Sequence, residues 1–246
     1  MDIVVLLAAA TGTAFATGLG AIPVSRLGDR AESLRPALWG LTIGLMTVAS
    51  IVGLLLPGLR EGSAPAVLAG VGSGVLFLMV SRRFMSHRHV VFGGATGEGA
   101  QRSALVFLVL LVHSLPEGLA VGTAYASETE SLGLYVILAI ALQNIPEGTS
   151  VAIPMEAAGS SRRSQFWAAV GTSAPQPVGA LIAYLLVSEV TDLLPFSFGF
   201  AAGAMLSLVA VELVPQAVRS PGRARAAAGA AVGGLLMLAL AAVLGP

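Results

Sequence analysis

The sequence predicts an all-α polytopic membrane protein with eight transmembrane helices. Of its 246 residues, 56% are hydrophobic and only 11% are charged, whereas soluble domains carry roughly 25% charged residues. Eight apolar runs have the length of a membrane-spanning helix, and the basic residues cluster in every second connector. Together these observations predict that most of the surface faces lipid and that residues 1–246 form a single transmembrane domain.

The eight runs follow one another with short connectors. A helix needs about 20 apolar residues to cross the hydrocarbon core of a bilayer. Spans 1 to 8 fall at about 2–22, 37–58, 65–85, 103–125, 132–154, 166–188, 196–217 and 226–245. The longest connector, about 86–102, is rich in glycine and carries His87 and His89. The first residues lack the basic segment of a signal peptide, so we expect span 1 to be retained.

The basic residues also predict the orientation. Twelve of the 13 follow spans 1, 3, 5 or 7, and only Arg60 follows an even-numbered span within the chain. Because basic residues are retained on the cytoplasmic side, we expect both termini to be extracytoplasmic.

The formal net charge of zero argues against a nucleic-acid partner. The chain has no cysteine, which excludes disulfides and thiolate metal clusters.

A shift of 159 residues aligns spans 1–3 with spans 6–8. The matching pairs are Gly12-Thr13 with Gly171-Thr172, Gly20-Ala21 with Gly179-Ala180, Gly40 with Gly199, Gly44 with Gly203, Met46 with Met205, Gly70 with Gly229 and Gly74 with Gly233. The shift is an odd number of spans, so the two copies must cross the membrane in opposite directions. We therefore expect a 3+2+3 arrangement in which inverted repeats, 1–85 and 166–246, flank a central pair, 103–154, as in many transporters.

The central pair carries two similar polar motifs, "HSLPEGLAVG" at 113–122 and "QNIPEGTSVA" at 143–152. His113 and Glu117 are four residues apart, so they share one helix face. Asn144 and Glu147 are three apart and also share a face, with Gln143 beside them. Both motifs lie near the middle of their spans, and ionisable residues in the middle of a membrane-spanning helix normally face a bundle interior or a water-filled path. An imidazole and two carboxylates are suitable ligands for a divalent first-row metal.

Each motif also contains a proline, Pro116 or Pro146, that removes one backbone donor. Within lipid this is tolerated where the freed backbone is satisfied again or lines a cavity. A single intramembrane histidine or proline is often only structural, but two copies of Pro-Glu-Gly with polar neighbours favour a metal site.

Glu212 in span 7 is either a helix-packing residue or a stepping-stone carboxylate on the cytoplasmic side. The loop histidines usually have no role, although weak metal capture is an alternative.

These motifs resemble the ZIP family of divalent-metal transporters, especially its bacterial GufA-like branch. The resemblance extends over essentially the whole chain and includes "GAMLSLVAVELVP" in span 7. It implies a metal site between spans 2, 4 and 5. The ligands implied at this site are Met46, His113, Glu117, Gln143 and Glu147. From composition alone, Met46 and Met205 are more often core residues.

Many members of the family hold a second, adjacent metal, and this chain departs from that pattern. Ser114 stands where the family has Asn or Asp, and Gln176 stands where it has Glu before proline. Only Asn144 fits the second site comfortably. Gln216 in span 7 also replaces a frequent glutamate. We therefore expect one tightly bound metal instead of a bridged pair.

The resemblance implies a transporter that moves a divalent metal, with zinc favoured, into the cytoplasm across a bacterial inner membrane. Spans 1, 4, 5 and 6 would move against spans 2, 3, 7 and 8 in a homodimer. The metal is the substrate and no cofactor is expected, but Fe²⁺, Mn²⁺ and Cd²⁺ suit the same ligands. One alternative is a relative that binds metal without transporting it. An intramembrane metalloenzyme is disfavoured, because no HExxH motif and no second histidine lie in any span.

Overall fold

A computed structural model of the protein describes residues 2–28, 30–85, 98–127 and 129–245. Over these ranges it is almost entirely helical, with no strand, and eight helices are long and apolar enough to cross a membrane. We call them α1 to α8: Ile3–Leu27, Arg30–Glu61, Ala64–Met85, Glu98–Ala126, Glu130–Ala157, Arg162–Glu189, Thr191–Arg219 and Arg223–Leu244. The prediction of an all-α membrane protein with eight spans is confirmed. His87 and His89 lie outside the described residues.

Four of the eight helices are interrupted, and the interruptions fall at turn-forming or proline-containing segments. α1 consists of Ile3–Leu19 and Ala21–Leu27, and α6 consists of Arg162–Thr172 and Pro175–Glu189. α2 contains a π-helical turn at Ile51–Leu55, and α7 contains one at Val209–Leu213. Each π turn ends two residues before a proline, Pro57 or Pro215, which has no N–H to donate. The second and seventh helices are thus interrupted at nearly corresponding positions, each by a π turn before a proline.

The two central helices are among the most enclosed parts of the protein. Within the most apolar stretch of each helix, 67% of the residues of α5 and 56% of those of α4 are buried, as are 56% for α7 and 11% for α8. α4 and α5 pack on each other, α1 packs on α5, and α6 packs on α4. On the outside, α2 pairs with α8 and α3 pairs with α7. This arrangement leaves α3 and α8 for the lipid and places α4 and α5 inside the bundle.

Glycines bring the outer helices into backbone contact. A Cβ atom on Gly40 would lie 1.8 Å from the carbonyl oxygen of Ala226, and one on Gly199 would lie 2.2 Å from that of Val67. The two contacts are related by the same shift of 159 residues that aligns the sequence with itself. The pair α2–α8 and the pair α7–α3 therefore use corresponding residues. This correspondence supports the inverted repeat, which we propose as the basis of the architecture.

Candidate metal centre

Three ionisable side chains from α4 and α5 meet in the centre of the bundle. His113, Glu117 and Glu147 each offer a ligand atom, and these atoms all lie within 4.8 Å of one another. His113 Nε2 lies 3.5 Å from Glu117 Oε1, as expected for residues four apart on one helix face. All three residues are buried. The structure thus brings together the histidine and both glutamates of the two motifs.

Several buried polar atoms at this centre have no hydrogen-bond partner among the described residues. They are both ring nitrogens of His113, one oxygen of Glu147, and the amide oxygens of Gln143 and Asn144. Buried polar atoms are nearly always paired, so a group of unpaired polar atoms requires a reason. Imidazole nitrogen and carboxylate or amide oxygen are ligands that divalent cations accept. The donor set therefore fits a cation held between α4 and α5.

Gln143 and Met46, the other predicted ligands, are both fully buried. Gln143 donates from Nε2 to Glu117 Oε1 at 2.5 Å, which leaves its own carbonyl oxygen unpaired. Met46 belongs to the apolar core formed with α5 and α7. Its role as a thioether ligand stays a prediction.

Gln176 completes a hydrogen-bond network on the other side of Glu117. Its Nε2 donates to Glu117 Oε2 at 2.7 Å. Its Oε1 accepts from Thr13 Oγ1 at 2.7 Å and from Asn144 Nδ2 at 3.1 Å. Asn144 Nδ2 also lies 2.8 Å from the carbonyl oxygen of Thr13. The network ties α1 and α6 to the central pair, and it uses both polar ends of Gln176.

The remaining residue predicted near a second site, Ser114, is also satisfied by the protein. Its hydroxyl donates to the carbonyl of Leu110 at 2.9 Å, one turn earlier in α4. Ser114 thus forms an ordinary helical hydrogen bond. Ser114 and Gln176 thus both form hydrogen bonds within the protein.

The glycine that ends each Pro-Glu-Gly motif sets how closely the neighbouring helices approach. A Cβ atom on Gly118 would lie 2.2 Å from the carbonyl oxygen of Gln176, and one on Gly148 would lie 1.8 Å from that of Thr17. Only glycine permits these contacts, which bring Gln176 and Thr13 within reach of the centre. The sequence-based interpretation gave no role to Thr13, Gly118 or Gly148. The glycine that recurs at the end of both Pro-Glu-Gly motifs was the sequence feature that could have indicated these close helix contacts.

A cavity of about 510 Å³ connects the centre with the protein surface. Glu147 lines its inner end, and Arg35 and the exposed Arg219 line it near the ends of α2 and α7. Its walls come from α2 and α7 on one side and from α4 and α5 on the other. The centre is thus reached from the side of the bundle where Arg35 and Arg219 lie, through a space large enough for a hydrated ion.

Glu212 lines the same cavity and is held by neighbouring side chains. Arg82 Nη2 lies 2.9 Å from Glu212 Oε2, and Gln216 Nε2 donates to Oε1 at 2.8 Å. These contacts match the helix-packing interpretation of Glu212. Its position on the cavity wall also suits the stepping-stone interpretation, so a role in the path stays a prediction.

The comparison with known families decides the classification. A family model described as the ZIP zinc transporter matches residues 86–241. The chain belongs to the ZIP zinc transporter family. The resemblance inferred from the two Pro-Glu-Gly motifs is therefore confirmed.

The relatives of this ZIP chain include bacterial and plant proteins. It is 37% identical to the zinc transporter GufA of Myxococcus xanthus, over 94% of this chain and 95% of that protein. It is 36% identical to the zinc transporter ZIPB of Bordetella bronchiseptica, over 94% of this chain and 78% of that protein. An Arabidopsis thaliana protein named as a zinc transporter is 34% identical over 92% of this chain, which spans 37% of that longer protein. The relatives are named as transporters, in agreement with the prediction that the ZIP chain is not an enzyme.

Proposed function

We propose that the protein transports a divalent metal ion, with zinc as the favoured substrate, through the centre formed by His113, Glu117 and Glu147. The observation that carries this proposal is the cluster of unpaired nitrogen and oxygen atoms at the inner end of a surface cavity. The names of the relatives GufA and ZIPB support zinc. The metal is substrate, and the proposal requires no resident cofactor.

The ion is bound by His113, both glutamates, the Gln143 carbonyl and the Met46 thioether. Gln143 has a second role, because its amide nitrogen fixes Glu117 Oε1. Metal ligands must be deprotonated to bind, so acidification weakens binding and favours release. Release toward the cavity passes Ser150 and then Glu212 on the way to the exposed Arg219.

The centre holds one ion. A second ion beside Glu117 would need Oε2, but that oxygen accepts a hydrogen bond from Gln176 Nε2. A neutral amide nitrogen cannot act as a metal ligand, whereas a carboxylate at position 176 could. Ser114 and Asn144 alone provide too few anionic oxygens for a second tight site.

The protein works in a bacterial inner membrane and moves the ion into the cytoplasm. The arginine bias supports this orientation, because basic residues are retained on the cytoplasmic side and the exposed Arg219 lines the cavity. The movement of α1, α4, α5 and α6 against the other four helices, and a homodimer, follow from the family resemblance. The network joining Thr13, Glu117, Asn144 and Gln176 supports the first group as one moving unit.

Uptake of radioactive zinc by cells that express the protein tests this function. His113→Ala and Glu147→Ala should each reduce uptake to the level of cells without the protein, at equal membrane abundance. Glu189→Ala, at an exposed carboxylate at the end of α6, is the matched control and should transport normally. Normal uptake in both site variants would show that the centre is wrongly assigned.

A binding measurement on purified protein distinguishes the alternative of a non-transporting relative. One tightly bound zinc per chain together with uptake supports the proposal. Binding without uptake by the unaltered protein favours the relative that binds metal but does not transport it. Two tight zinc ions per chain would contradict the role given to Gln176.

A further inference from the structure

Three buried hydroxyl groups stand out because nothing in the described part of the chain pairs with them. Eleven side chains with a hydroxyl group are buried there, ten serines and threonines and one tyrosine, and eight of them form hydrogen bonds. The exceptions are Ser50, Thr123 and Tyr135, each fully buried. A buried unpaired hydroxyl costs about 1–3 kcal/mol. Folding alone therefore gives no reason to keep all three.

Two of these hydroxyls continue helix faces that begin at the metal centre. On α2, Ser50 is four residues beyond Met46, so it lies one turn away on the same face. On α4, Ala120 and Thr123 follow Glu117 at successive intervals of three residues. Both hydroxyls thus lie one or two turns from a predicted ligand.

The third hydroxyl has the same relation to the centre. On α5, Tyr135, Ala139 and Gln143 are spaced by four residues and share one face, which continues to Glu147. Each of the helices α2, α4 and α5 therefore carries an unpaired hydroxyl one or two turns from a predicted ligand.

All three hydroxyls lie on the side of the centre that is opposite to the cavity. On α2 and α4 the cavity is lined by residues that precede the predicted ligands, such as Thr42 and Leu110. On α5 it is lined by residues that follow Glu147, such as Pro154. Each hydroxyl lies in the reverse direction along its helix. The cavity accounts for one half of a path across the membrane, and these hydroxyls occupy the other half.

This second half is closed by apolar packing. A void of only about 10 Å³ lies there, between Leu54, Ala120, Tyr135 and Met205 among others, which is about the space of a single water molecule. The Tyr135 ring lies so close to Gly53 that a Cβ atom there would be 2.6 Å from ring carbon Cε1. α2 and α5 must separate before an ion passes between them.

We propose that Ser50, Thr123 and Tyr135 line the closed half of the ion path and contact the hydrated ion when that half opens. This inference rests on the proposed transport function. When α2 and α5 separate, each hydroxyl exchanges an unpaired buried state for a hydrogen bond with the water around the ion. These new hydrogen bonds lower the free energy of the open form, whereas apolar packing around Leu54 stabilises the closed form.

The first test removes the hydroxyls at nearly constant volume in the variant Ser50→Ala/Thr123→Val/Tyr135→Phe. We expect the apparent Tm in detergent to stay the same or rise and zinc affinity to remain unchanged. The maximal uptake rate should fall about fivefold or more, since a barrier change near 1 kcal/mol alters a rate severalfold. Thr172→Val, which removes a buried hydroxyl that is bonded to the Ala169 carbonyl, is the control and should transport normally. Undiminished uptake in the triple variant would overturn the inference.

The second test needs no transport, and it uses the absence of native cysteine. Ser50→Cys should react with a membrane-impermeant thiol reagent added on the side opposite to the cavity, and zinc should slow the reaction. Leu78→Cys, at a fully buried core position on α3, should stay unreactive. An unreactive Ser50→Cys overturns the inference, whereas labelling of Ser50→Cys in a protein without uptake contradicts only the transport function.

Discussion

Gly118→Ala is expected to loosen the contact between α4 and α6 that positions Gln176. The added Cβ would lie 2.2 Å from the Gln176 carbonyl oxygen, whereas ordinary contacts begin at 3.4 Å. The two helices must therefore separate by about 1.2 Å. The hydrogen bond from Gln176 to Glu117, now 2.7 Å long, would lengthen beyond the range in which such bonds contribute.

The magnitude follows from two opposing contributions. Overpacking costs about 1–3 kcal/mol, and loss of a hydrogen bond to a carboxylate costs about 1.5–3 kcal/mol. Replacing glycine within a helix gains about 1 kcal/mol. We expect a net loss of about 2–4 kcal/mol in the free energy of unfolding, equivalent to a decrease of about 5–10 °C in apparent Tm.

Thermal unfolding of the purified protein in detergent measures this effect. Gly72→Ala is the matched control, because a Cβ there would meet nothing within 4 Å and should leave the Tm unchanged or slightly higher. Zinc affinity should decrease for Gly118→Ala and stay constant for Gly72→Ala. Equal Tm values for the two variants would show that the close approach of α4 and α6 does not hold the centre together.

Three further predictions concern the site and the cavity. Gln176→Glu should raise the number of tightly bound zinc ions from one to two per chain, measured by equilibrium dialysis, because a carboxylate replaces the amide that binds Glu117. Lowering the pH should weaken zinc binding in a competition assay with a chelator, because metal ligands bind in their deprotonated form and metal binding releases protons. Arg82→Gln should change the apparent Tm by less than about 3 °C, because its ion pair with Glu212 is about one-third exposed and screened by solvent.

The sequence was sufficient to predict the helices, because long apolar runs are a local signal. The predicted second span, about 37–58, is shorter than α2, Arg30–Glu61, since hydropathy marks the apolar stretch and not the ends of the hydrogen-bonded helix. Residues four apart on one helix must share a face, so the proximity of His113 and Glu117 could also be predicted. Their closeness to Glu147 required only that two consecutive helices pack together.

The hydrogen bonds that link Glu117 to α6 and α1 through Gln176 could not be predicted in the same way. Gln176 and Thr13 reach the centre from α6 and α1, which are distant in the sequence, and their approach depends on backbone contacts at Gly118 and Gly148. Such distances between helices are set by tertiary packing. The π-helical turns in α2 and α7 likewise depend on how the chain adjusts to a proline inside a packed helix.

The uncharged amide at position 176 has an electrical consequence. Gln176 gives a hydrogen bond to Glu117 and adds no charge, so the centre contains two carboxylates where a glutamate at position 176 would make three. A charge that crosses the full membrane potential gains or loses about 2.3 kcal/mol for each 100 mV. The amide therefore removes one group whose charge would make movement of the centre sensitive to membrane potential.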